Sequence, residues 1–276
     1  MMDRTELIEL VTRQVLATLS GEHTDQGLEH APQVVANGAA RLGYSGNAAD
    51  VPDGLAELID HTLLRPDATA DEIDTLCDEA VEYQFAAVCL NPTWVRRAAK
   101  RVRGSGVTVA SVVGFPLGAN TPEIKAMETR RALREGAREI DMVINIGALK
   151  SGDHDLVRRD IAGVSDACRE VGALNKVIIE AAFLTDEEKV IACKLARQAR
   201  AHFVKTSTGF GPGGATVFDV ALMREVVGED MGVKAAGGIH TADEVREMVT
   251  AGATRIGASA GVRIVSGEEG ESSAAY

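Results

Sequence analysis

From Leu55 onward, segments with the pattern of a β-strand alternate with segments that have the pattern of an amphipathic helix, and this alternation constrains the fold more than any other feature. The predicted strands are Leu58–Thr62, Ala86–Leu90, Val107–Phe115, Glu139–Ile146, Lys176–Ala182, Phe203–Thr208, Gly232–Ala236 and Arg255–Ala258. The predicted helices are Ala70–Tyr83, Thr93–Arg103, Pro122–Glu135, Leu156–Val171, Thr185–Arg200, Val217–Val227 and Thr241–Thr250. Continuously apolar strands such as Val177-Ile178-Ile179 are typical of parallel strands covered by helices. The pattern predicts a (β/α)8 barrel.

Local signals at the ends of these segments support the helix predictions. Thr185-Asp186-Glu187-Glu188 is a capping box, and Thr121-Pro122-Glu123 offers an N-cap followed by a proline in the first turn. Gly136, Gly172 and Gly252 stand where helices should stop. The alternative fold is a doubly wound open sheet, but no GxGxxG motif opens the first βα unit.

The residues before and after the predicted barrel lack its alternation of strands and helices. Met1–Ser20 has apolar residues near helical spacing and predicts a short amphipathic helix. The following residues, up to Pro52, are rich in Gly, Ala and Asn and predict a flexible arm. We therefore expect an additional N-terminal helix and arm in residues 1–50, a TIM-barrel domain in residues 51–267 and a disordered tail in residues 268–276.

Composition excludes several classes of function. The net charge of -12 argues against a nucleic-acid partner, since phosphate backbones are bound by basic surfaces. We found neither an apolar stretch of about 20 residues nor a signal-peptide core, so we expect a cytoplasmic protein without a membrane partner. The spacing of the four cysteines is not that of a disulfide framework, and the six histidines form no metal-binding motif. The sequence thus predicts neither a metal nor a cofactor.

Two lysines on adjacent predicted strands, Lys205 and Lys234, are the strongest functional signal. Each interrupts a short apolar run that ends in small residues and glycine. A buried lysine is costly unless its ammonium is paired or its pKa falls, and neighbouring cations lower each other's pKa. Because a neutral lysine is a nucleophile toward carbonyl groups, the pair predicts Schiff-base chemistry. The alternative is that both lysines are solvated or lie beside a carboxylate at a strand end.

Carboxylates in two other strands complete the candidate site. Asp141 shares a strand face with Val143 and Asn145, and we expect it to neutralise the lysines and relay a proton. A structural ion pair is the alternative. Asp141 lies deeper in its strand than the lysines do in theirs, so only a stagger between strands would bring the three together. Asp60 is placed to hold a substrate hydroxyl or the lysines, and Cys89 either reaches the site or is a small core residue.

Three glycine-rich segments, residues 207–214, 237–240 and 257–261, follow the last three predicted strands. Loops at this end of a barrel commonly bind phosphate through backbone N–H groups. Glycine lets the backbone approach the ligand closely, and the hydroxyl of Ser259 adds a further hydrogen-bonding group. The three segments together predict a phosphate site.

These residues closely resemble the deoxyribose-phosphate aldolases, a family of metal-independent aldolases that form a Schiff base. The resemblance spans about Leu55 to Gly267 and rests on Ile59-Asp60-His61-Thr62, Val112-Val113-Gly114-Phe115-Pro116-Leu117-Gly118, Glu139-Ile140-Asp141-Met142-Val143-Ile144-Asn145, Lys176-Val177-Ile178-Ile179-Glu180, Phe203-Val204-Lys205-Thr206-Ser207-Thr208-Gly209 and Val233-Lys234-Ala235-Ala236-Gly237-Gly238. It implies a TIM barrel that reversibly cleaves 2-deoxy-D-ribose 5-phosphate into acetaldehyde and D-glyceraldehyde 3-phosphate.

The resemblance also implies a role for each matching residue. Lys205 is the Schiff-base lysine, Lys234 the cation that lowers its pKa, Asp141 the proton donor and acceptor, and Asp60 orients a substrate hydroxyl. The remaining predicted substrate contacts are Cys89, Thr206, Gly209, Gly237, Gly238, Gly257 and Ser259. A homodimer is favoured over a monomer.

Two further residues, Ala181 and Tyr276, bear on the comparison with this family. Ala181 follows Glu180 where the family usually has a threonine, so a hydroxyl near the fifth strand is missing. The chain ends in Tyr276, and in some family members a terminal tyrosine reaches the active site.

Two alternatives to an aldolase stay open at this point. One is a phosphate-binding barrel isomerase or synthase in which the lysines bind phosphate or carboxylate and form no imine. The other is an inactive barrel that serves as a regulator or binding protein, against which the intact lysine pair and acid argue.

Overall fold

Eight strands pair in parallel in the order in which they follow along the chain, and the last pairs with the first, which closes the sheet into a barrel. The computed structural model describes residues 54–267. The strands are β1 (Ile59–Leu63), β2 (Ala87–Leu90), β3 (Thr108–Val113), β4 (Glu139–Val143), β5 (Leu174–Ile178), β6 (Phe203–Lys205), β7 (Gly232–Ala236) and β8 (Arg255–Ala258). The predicted (β/α)8 barrel is confirmed. The predicted N-terminal helix and arm, and the tail with Tyr276, lie outside the described residues.

Helices connect successive strands and cover the outside of the barrel. They are α1 (Ala70–Glu82), α2 (Val95–Arg101), α3 (Pro122–Glu135), α4 (Ile146–Lys150), α5 (His154–Arg169), α6 (Asp186–Gln198), α7 (Val217–Val227), α8 (Ala242–Thr250) and α9 (Gly261–Ser266). The main apolar core lies between these helices and the outer face of the sheet. None of the helices in residues 54–267 has the length and apolarity that crossing a bilayer requires.

Helix caps explain why several boundaries could be read from the sequence. The bounds of α3 and α7 are those predicted, and so are those of β7 and β8. At the start of α6 the Glu188 N–H donates to the Thr185 hydroxyl (3.3 Å), and the Thr185 N–H donates to the Glu188 carboxylate (2.8 Å). This is the predicted capping box. Thr121 stands at the N-cap of α3, but its side chain makes no cap hydrogen bond.

Four predicted strands, those that correspond to β3, β4, β5 and β6, were too long at their C-terminal ends. β4 stops at Val143 because the Asn145 side chain accepts a hydrogen bond from the Ala148 N–H (3.0 Å) and begins the short helix α4. β5 stops at Ile178, and Glu180 then adopts a left-handed backbone conformation (φ 52°) that no strand can continue. Both ends form the rim of the barrel where the polar side chains gather.

The interior of the barrel has an apolar side formed by β2 and β3. Ala87 and Cys89 on β2 pack with Ala110 and Val112 on β3 in a small cluster separate from the main core. Their sequence neighbours belong instead to the cluster that the helices cover. This is the alternation expected of strands with two buried faces. The small side chains leave the charged residues of the other strands to fill the rest of the interior.

Two glycines test how tightly this fold is packed. A Cβ atom on Gly232 would stand 2.1 Å from the ring of Phe203, whereas one on Gly163 in α5 would make an ordinary 3.8 Å contact with Ala126. We expect Gly232→Ala to lower the free energy of unfolding by about 1–3 kcal/mol through overpacking. Gly163→Ala should raise it by about 0.5–1 kcal/mol, because glycine inside a helix is unfavourable. Urea unfolding measures both, and effects of the same sign would contradict this packing.

Candidate active site

The two lysines that the sequence singled out meet at one carboxylate inside the barrel. Lys205 Nζ donates to Asp141 Oδ2 (2.9 Å), and Lys234 Nζ donates to the same oxygen (2.7 Å). All three residues are buried, and only 3% of the Lys205 side chain is exposed. The structure therefore places both amines close together and away from bulk water, as the sequence predicts.

The strand register shows that Asp141 lies deeper in the barrel than the two lysines, as the sequence predicts. Asp141 on β4 is level with Lys176 on β5, which is level with Phe203 on β6. Lys205 stands two residues further along β6 and is level with Lys234 on β7. Both lysine side chains extend back toward the deeper level, and their length bridges the difference.

Further charged side chains, which the sequence analysis missed, join these three. Lys176 Nζ lies 2.8 Å from Asp141 Oδ1, 2.5 Å from Glu139 Oε2 and 3.3 Å from Asp60 Oδ2. Arg255 Nη1 lies 2.7 Å from Asp60 Oδ1 and 3.0 Å from Glu139 Oε2. Asp60 also accepts a hydrogen bond from the ammonium group of Lys234. We call this set the charge network; its members are Asp60, Glu139, Asp141, Lys176, Lys205, Lys234 and Arg255.

Alternation along the strands was the signal that could have found the missing members. Glu139 stands two residues before Asp141 and thus on the same strand face, and Arg255 is level with Lys234 across the β7–β8 pair. Lys176 lies in a motif that the family resemblance includes. Sequence reasoning gave none of them a role, because a charged residue near a strand start is more often solvated than buried.

Opposite charges hold the network carboxylates in their ionised form. Burial by itself raises the pKa of Asp141, but Lys176, Lys205 and Lys234 outweigh it and hold that pKa well below the ordinary value. The pKa of Asp60 is likewise lowered, since Lys176, Lys234 and Arg255 outweigh the effect of burial. Both carboxyl groups are therefore anions at neutral pH.

The same contacts keep two network lysines charged. Burial works to lower the pKa of Lys176, but Asp141, Asp60 and Glu139 raise it well above the ordinary value. Burial also works to lower the pKa of Lys234, but Asp141 and Asp60 raise it above the ordinary value. Lys234 is thus a permanent cation in this site, whereas mutual repulsion of two lysines would have lowered its pKa. Carboxylates outweigh that repulsion.

The charge network contains four cationic groups and three carboxylates. Lys176, Lys234 and Arg255 each contact at least two of these carboxylates, whereas Lys205 contacts Asp141 alone among them. Loss of the Lys205 proton would leave equal numbers of buried positive and negative charges. Lys205 is therefore the network cation with the fewest carboxylate partners.

Three predicted substrate contacts also have partners within the barrel. The Thr206 hydroxyl donates to the Ala236 carbonyl and accepts from the Ala236 N–H (3.1 Å each), so it joins β6 to β7. A Cβ on Gly257 would lie 3.0 Å from Cε of Lys234, so the glycine makes room for the lysine. Burial raises the pKa of the Cys89 thiol, which packs in the apolar interior cluster. Each of the three therefore contributes to packing, and their contact with substrate stays a prediction.

The predicted phosphate segments gather at the C-terminal ends of β6 and β7. The Cα of Gly209 lies 3.7 Å from the place where a Cβ on Gly237 would stand, and both glycines have positive φ angles (89° and 90°). Gly238 and Ser259 are exposed. Only glycine combines this backbone conformation with so close an approach of two chains. The close approach of the two glycine backbones brings the segments after β6 and β7 together.

The alanine that departs from the family pattern is buried beside this region. Ala181 is 1% exposed, and its N–H donates to the Thr206 carbonyl (2.9 Å). The preceding carboxylate, Glu180, accepts the hydroxyl hydrogen of Thr208 (2.5 Å). A threonine hydroxyl thus lies near the end of β5 even though residue 181 contributes none.

Comparison with known proteins places this barrel in a family. Residues 55–267 match the family model described as DeoC/LacD family aldolase. The chain belongs to the DeoC/LacD aldolase family. It is 60% identical over 217 residues to a deoxyribose-phosphate aldolase of Enterococcus faecalis, a match that covers 79% of this chain and 98% of the relative. It is therefore an aldolase, which is a carbon–carbon lyase.

Further members of the family agree with this placement. The deoxyribose-phosphate aldolase of Listeria welshimeri is 60% identical over 215 residues, which cover 78% of this chain and 96% of that protein. The solved structure of the deoxyribose phosphate aldolase of Aeropyrum pernix, described as a unique tetramer, has a TM-score of 0.73 and 34% identity. It covers 84% of this chain and 95% of the other. The similarity extends over nearly the whole barrel.

Lys176 gives a test of the charge network. Removing one partner of a buried ion pair costs about 3–5 kcal/mol, so Lys176→Met should lower the free energy of unfolding at pH 7 by that order. The lowered pKa values of Asp60 and Asp141 add stability above the ordinary aspartate pKa of about 3.9, and this stability is lost as the pH falls. In the variant both pKa values lie closer to the ordinary value, so acidification should remove less stability.

Urea unfolding at pH 7 and at several lower pH values measures both effects. Lys100→Met removes an exposed lysine from α2 and serves as the matched control, with a free energy of unfolding close to that of the unsubstituted protein. A Lys176 variant as stable as this control at pH 7 would contradict a stabilising role for the network.

Proposed function

We propose that this aldolase reversibly cleaves 2-deoxy-D-ribose 5-phosphate into acetaldehyde and D-glyceraldehyde 3-phosphate through a Schiff base on Lys205. The observation that carries the proposal is a buried amine with a single network carboxylate, next to a second lysine that two carboxylates hold as a cation. Such an amine can lose its proton without leaving a negative charge unbalanced. The names of the 60%-identical relatives support the choice of substrate.

The chemistry follows from a neutral Lys205. Its Nζ attacks the aldehyde carbon of the open-chain sugar, and a proton moves from nitrogen to oxygen to give a carbinolamine. Uptake of one proton and loss of water then give a protonated imine. The imine nitrogen accepts the electron pair of the C2–C3 bond as the C3 hydroxyl loses its proton, so glyceraldehyde 3-phosphate leaves and an enamine remains. Protonation of the enamine carbon and hydrolysis of the imine then release acetaldehyde and the free amine.

Asp141 and Lys234 move the protons and stabilise the charge in this scheme. Asp141 Oδ2 is the common acceptor of both amines, so it can take up and return the Lys205 proton while Lys234 stays charged. The same oxygen faces the protonated imine once it forms on Lys205 and stabilises its positive charge. Asp60 acts on Lys234 by keeping it protonated, rather than by holding a substrate hydroxyl directly.

The phosphate group of the substrate lies at the glycine-rich rim. Backbone N–H groups near Gly209, Gly237 and Gly238, with the hydroxyl of Ser259, are the proposed contacts. Their positions follow directly after β6, β7 and β8, whose side chains carry the amines. One substrate can therefore reach both parts of the site, with its phosphate at the rim and its aldehyde carbon at Lys205.

We further propose that the protein works in the cytoplasm as a homodimer. A sugar phosphate is charged and is retained by membranes, so an enzyme that uses it must share its compartment. Leu117, Ile124 and Met127 are exposed apolar side chains in and before α3, and a second copy of the chain would cover such a surface.

Borohydride trapping tests the Schiff base. The unsubstituted protein, treated with acetaldehyde and borohydride, should gain the mass of one ethyl group on the peptide that contains Lys205. Lys205→Ala should show no adduct there and lose cleavage of the sugar phosphate by at least about a thousandfold, while its thermal unfolding stays that of a folded barrel. An active protein without an adduct would instead indicate an isomerase or synthase that forms no imine.

A second variant tests the role of the neighbouring cation. Lys234→Leu removes one positive charge, so the remaining network is balanced only when Lys205 is protonated. We expect weak residual activity and a pH optimum shifted upward, because more alkaline conditions are needed to free the Lys205 amine. The pH dependence of kcat/KM gives the answer, with Lys100→Leu as the control. A Lys234 variant that is active with an unchanged optimum would refute this role.

A further inference from the structure

Glu180, directly after β5, has a conformation and an environment that the proposed chemistry does not use. Its φ and ψ angles are 52° and 63°, in the left-handed region that is unfavourable for residues other than glycine. Its side chain is buried, with 2% of the residue exposed, and burial raises its pKa although hydrogen bonds from Thr208 oppose the rise. A buried carboxylate on a strained backbone persists only where its contacts hold it.

These contacts are with the start of the segment that follows β6. The Thr208 N–H donates to Glu180 Oε1 (3.2 Å), and the Thr208 hydroxyl donates to Glu180 Oε2 (2.5 Å). The same hydroxyl oxygen accepts a hydrogen bond from the Phe210 N–H (3.0 Å). One carboxylate therefore fixes both the backbone and the first turn of residues 208–214, which we call the β6 loop.

The β6 loop passes so close to this carboxylate that only glycine fits. A Cβ on Gly211 would lie 2.9 Å from Glu180 Oε1. At its other end the loop is held by β7, since a Cβ on Gly214 would lie 2.2 Å from the Gly237 carbonyl oxygen and the Ala215 N–H donates to that oxygen (2.9 Å). Glu180 and the end of β7 thus hold the loop from opposite sides.

The loop contains Gly209 and begins three residues after Lys205. We propose that Glu180 is a positioning residue that sets the β6 loop in its phosphate-binding conformation and so governs affinity for the phosphorylated end of the substrate. The proposal rests on the function proposed above. Glu180 itself takes no part in imine formation, because its carboxylate is occupied by Thr208 and it is not a member of the charge network.

Steady-state kinetics with two substrates test the proposal. In Glu180→Gln the uncharged amide binds the loop more weakly, and we expect KM for 2-deoxy-D-ribose 5-phosphate to rise about tenfold. The kcat/KM for 2-deoxy-D-ribose, which has no phosphate, should stay within about twofold of the unsubstituted value, and so should the rate of borohydride trapping with acetaldehyde. Thr208→Val should have the same selective effect. In the double variant, KM for 2-deoxy-D-ribose 5-phosphate should not exceed that of the more impaired single variant.

Matched variants separate positioning from a general structural defect. Glu187→Gln, on the outer helix α6, should leave all of these values unchanged, and Thr208→Ser should restore a low KM because it keeps the hydroxyl. If Glu180→Gln melts at room temperature, the Thr208→Val and Thr208→Ser pair gives the same comparison. Equal losses with both sugars, or additive effects in the double variant, would overturn the proposal. Failure of the unsubstituted protein to form an adduct would instead refute the proposed function.

Discussion

The site depends on the buried carboxylate of Asp141, which binds three lysines inside a closed barrel. An ionised carboxylate without partners would be very costly there, and so would any of the three ammonium groups. Together they satisfy one another, and the surplus positive charge falls on the amine with the fewest network partners, Lys205. The same arrangement thus stabilises the buried charges and leaves the proposed nucleophile with the fewest ion-pair partners.

The barrel separates the parts of the reaction by depth. The charge network fills the interior beside the small apolar side chains of β2 and β3, where water is excluded and electrostatic interactions are strong. The glycine-rich segments lie above it at the strand ends, where the backbone can approach an anion. Between the two levels stands Lys205, at the last residue of β6. The proposed substrate, with an aldehyde at one end and a phosphate at the other, would extend from Lys205 to these segments.

Much of the fold and the centre of the site could be predicted because they depend on local patterns. Capping residues and hydrophobic periodicity gave most element boundaries, and the lysines were conspicuous in apolar strands. The predictions failed where a single side chain ends a strand, as at Asn145, and where a residue adopts a left-handed conformation, as at Glu180. Thr206 and Gly257 stay predicted substrate contacts, and the sequence did not show that they also contact neighbouring strands. Such pairings join residues distant in the sequence.

The sequence by itself determined the alternation of strands and helices, the family, and the presence of two lysines and an acid on inward strand faces. The tertiary structure decided which charges touch. The register of β4, β5 and β6 leaves Lys205 two residues beyond the level of Asp141, and its long side chain closes this gap. Only barrel closure places Asp60 and Arg255 beside Lys176 and Lys234. The physical reason is that a strand pattern fixes the direction of each side chain, whereas charge balance depends on distances between strands that local sequence does not encode.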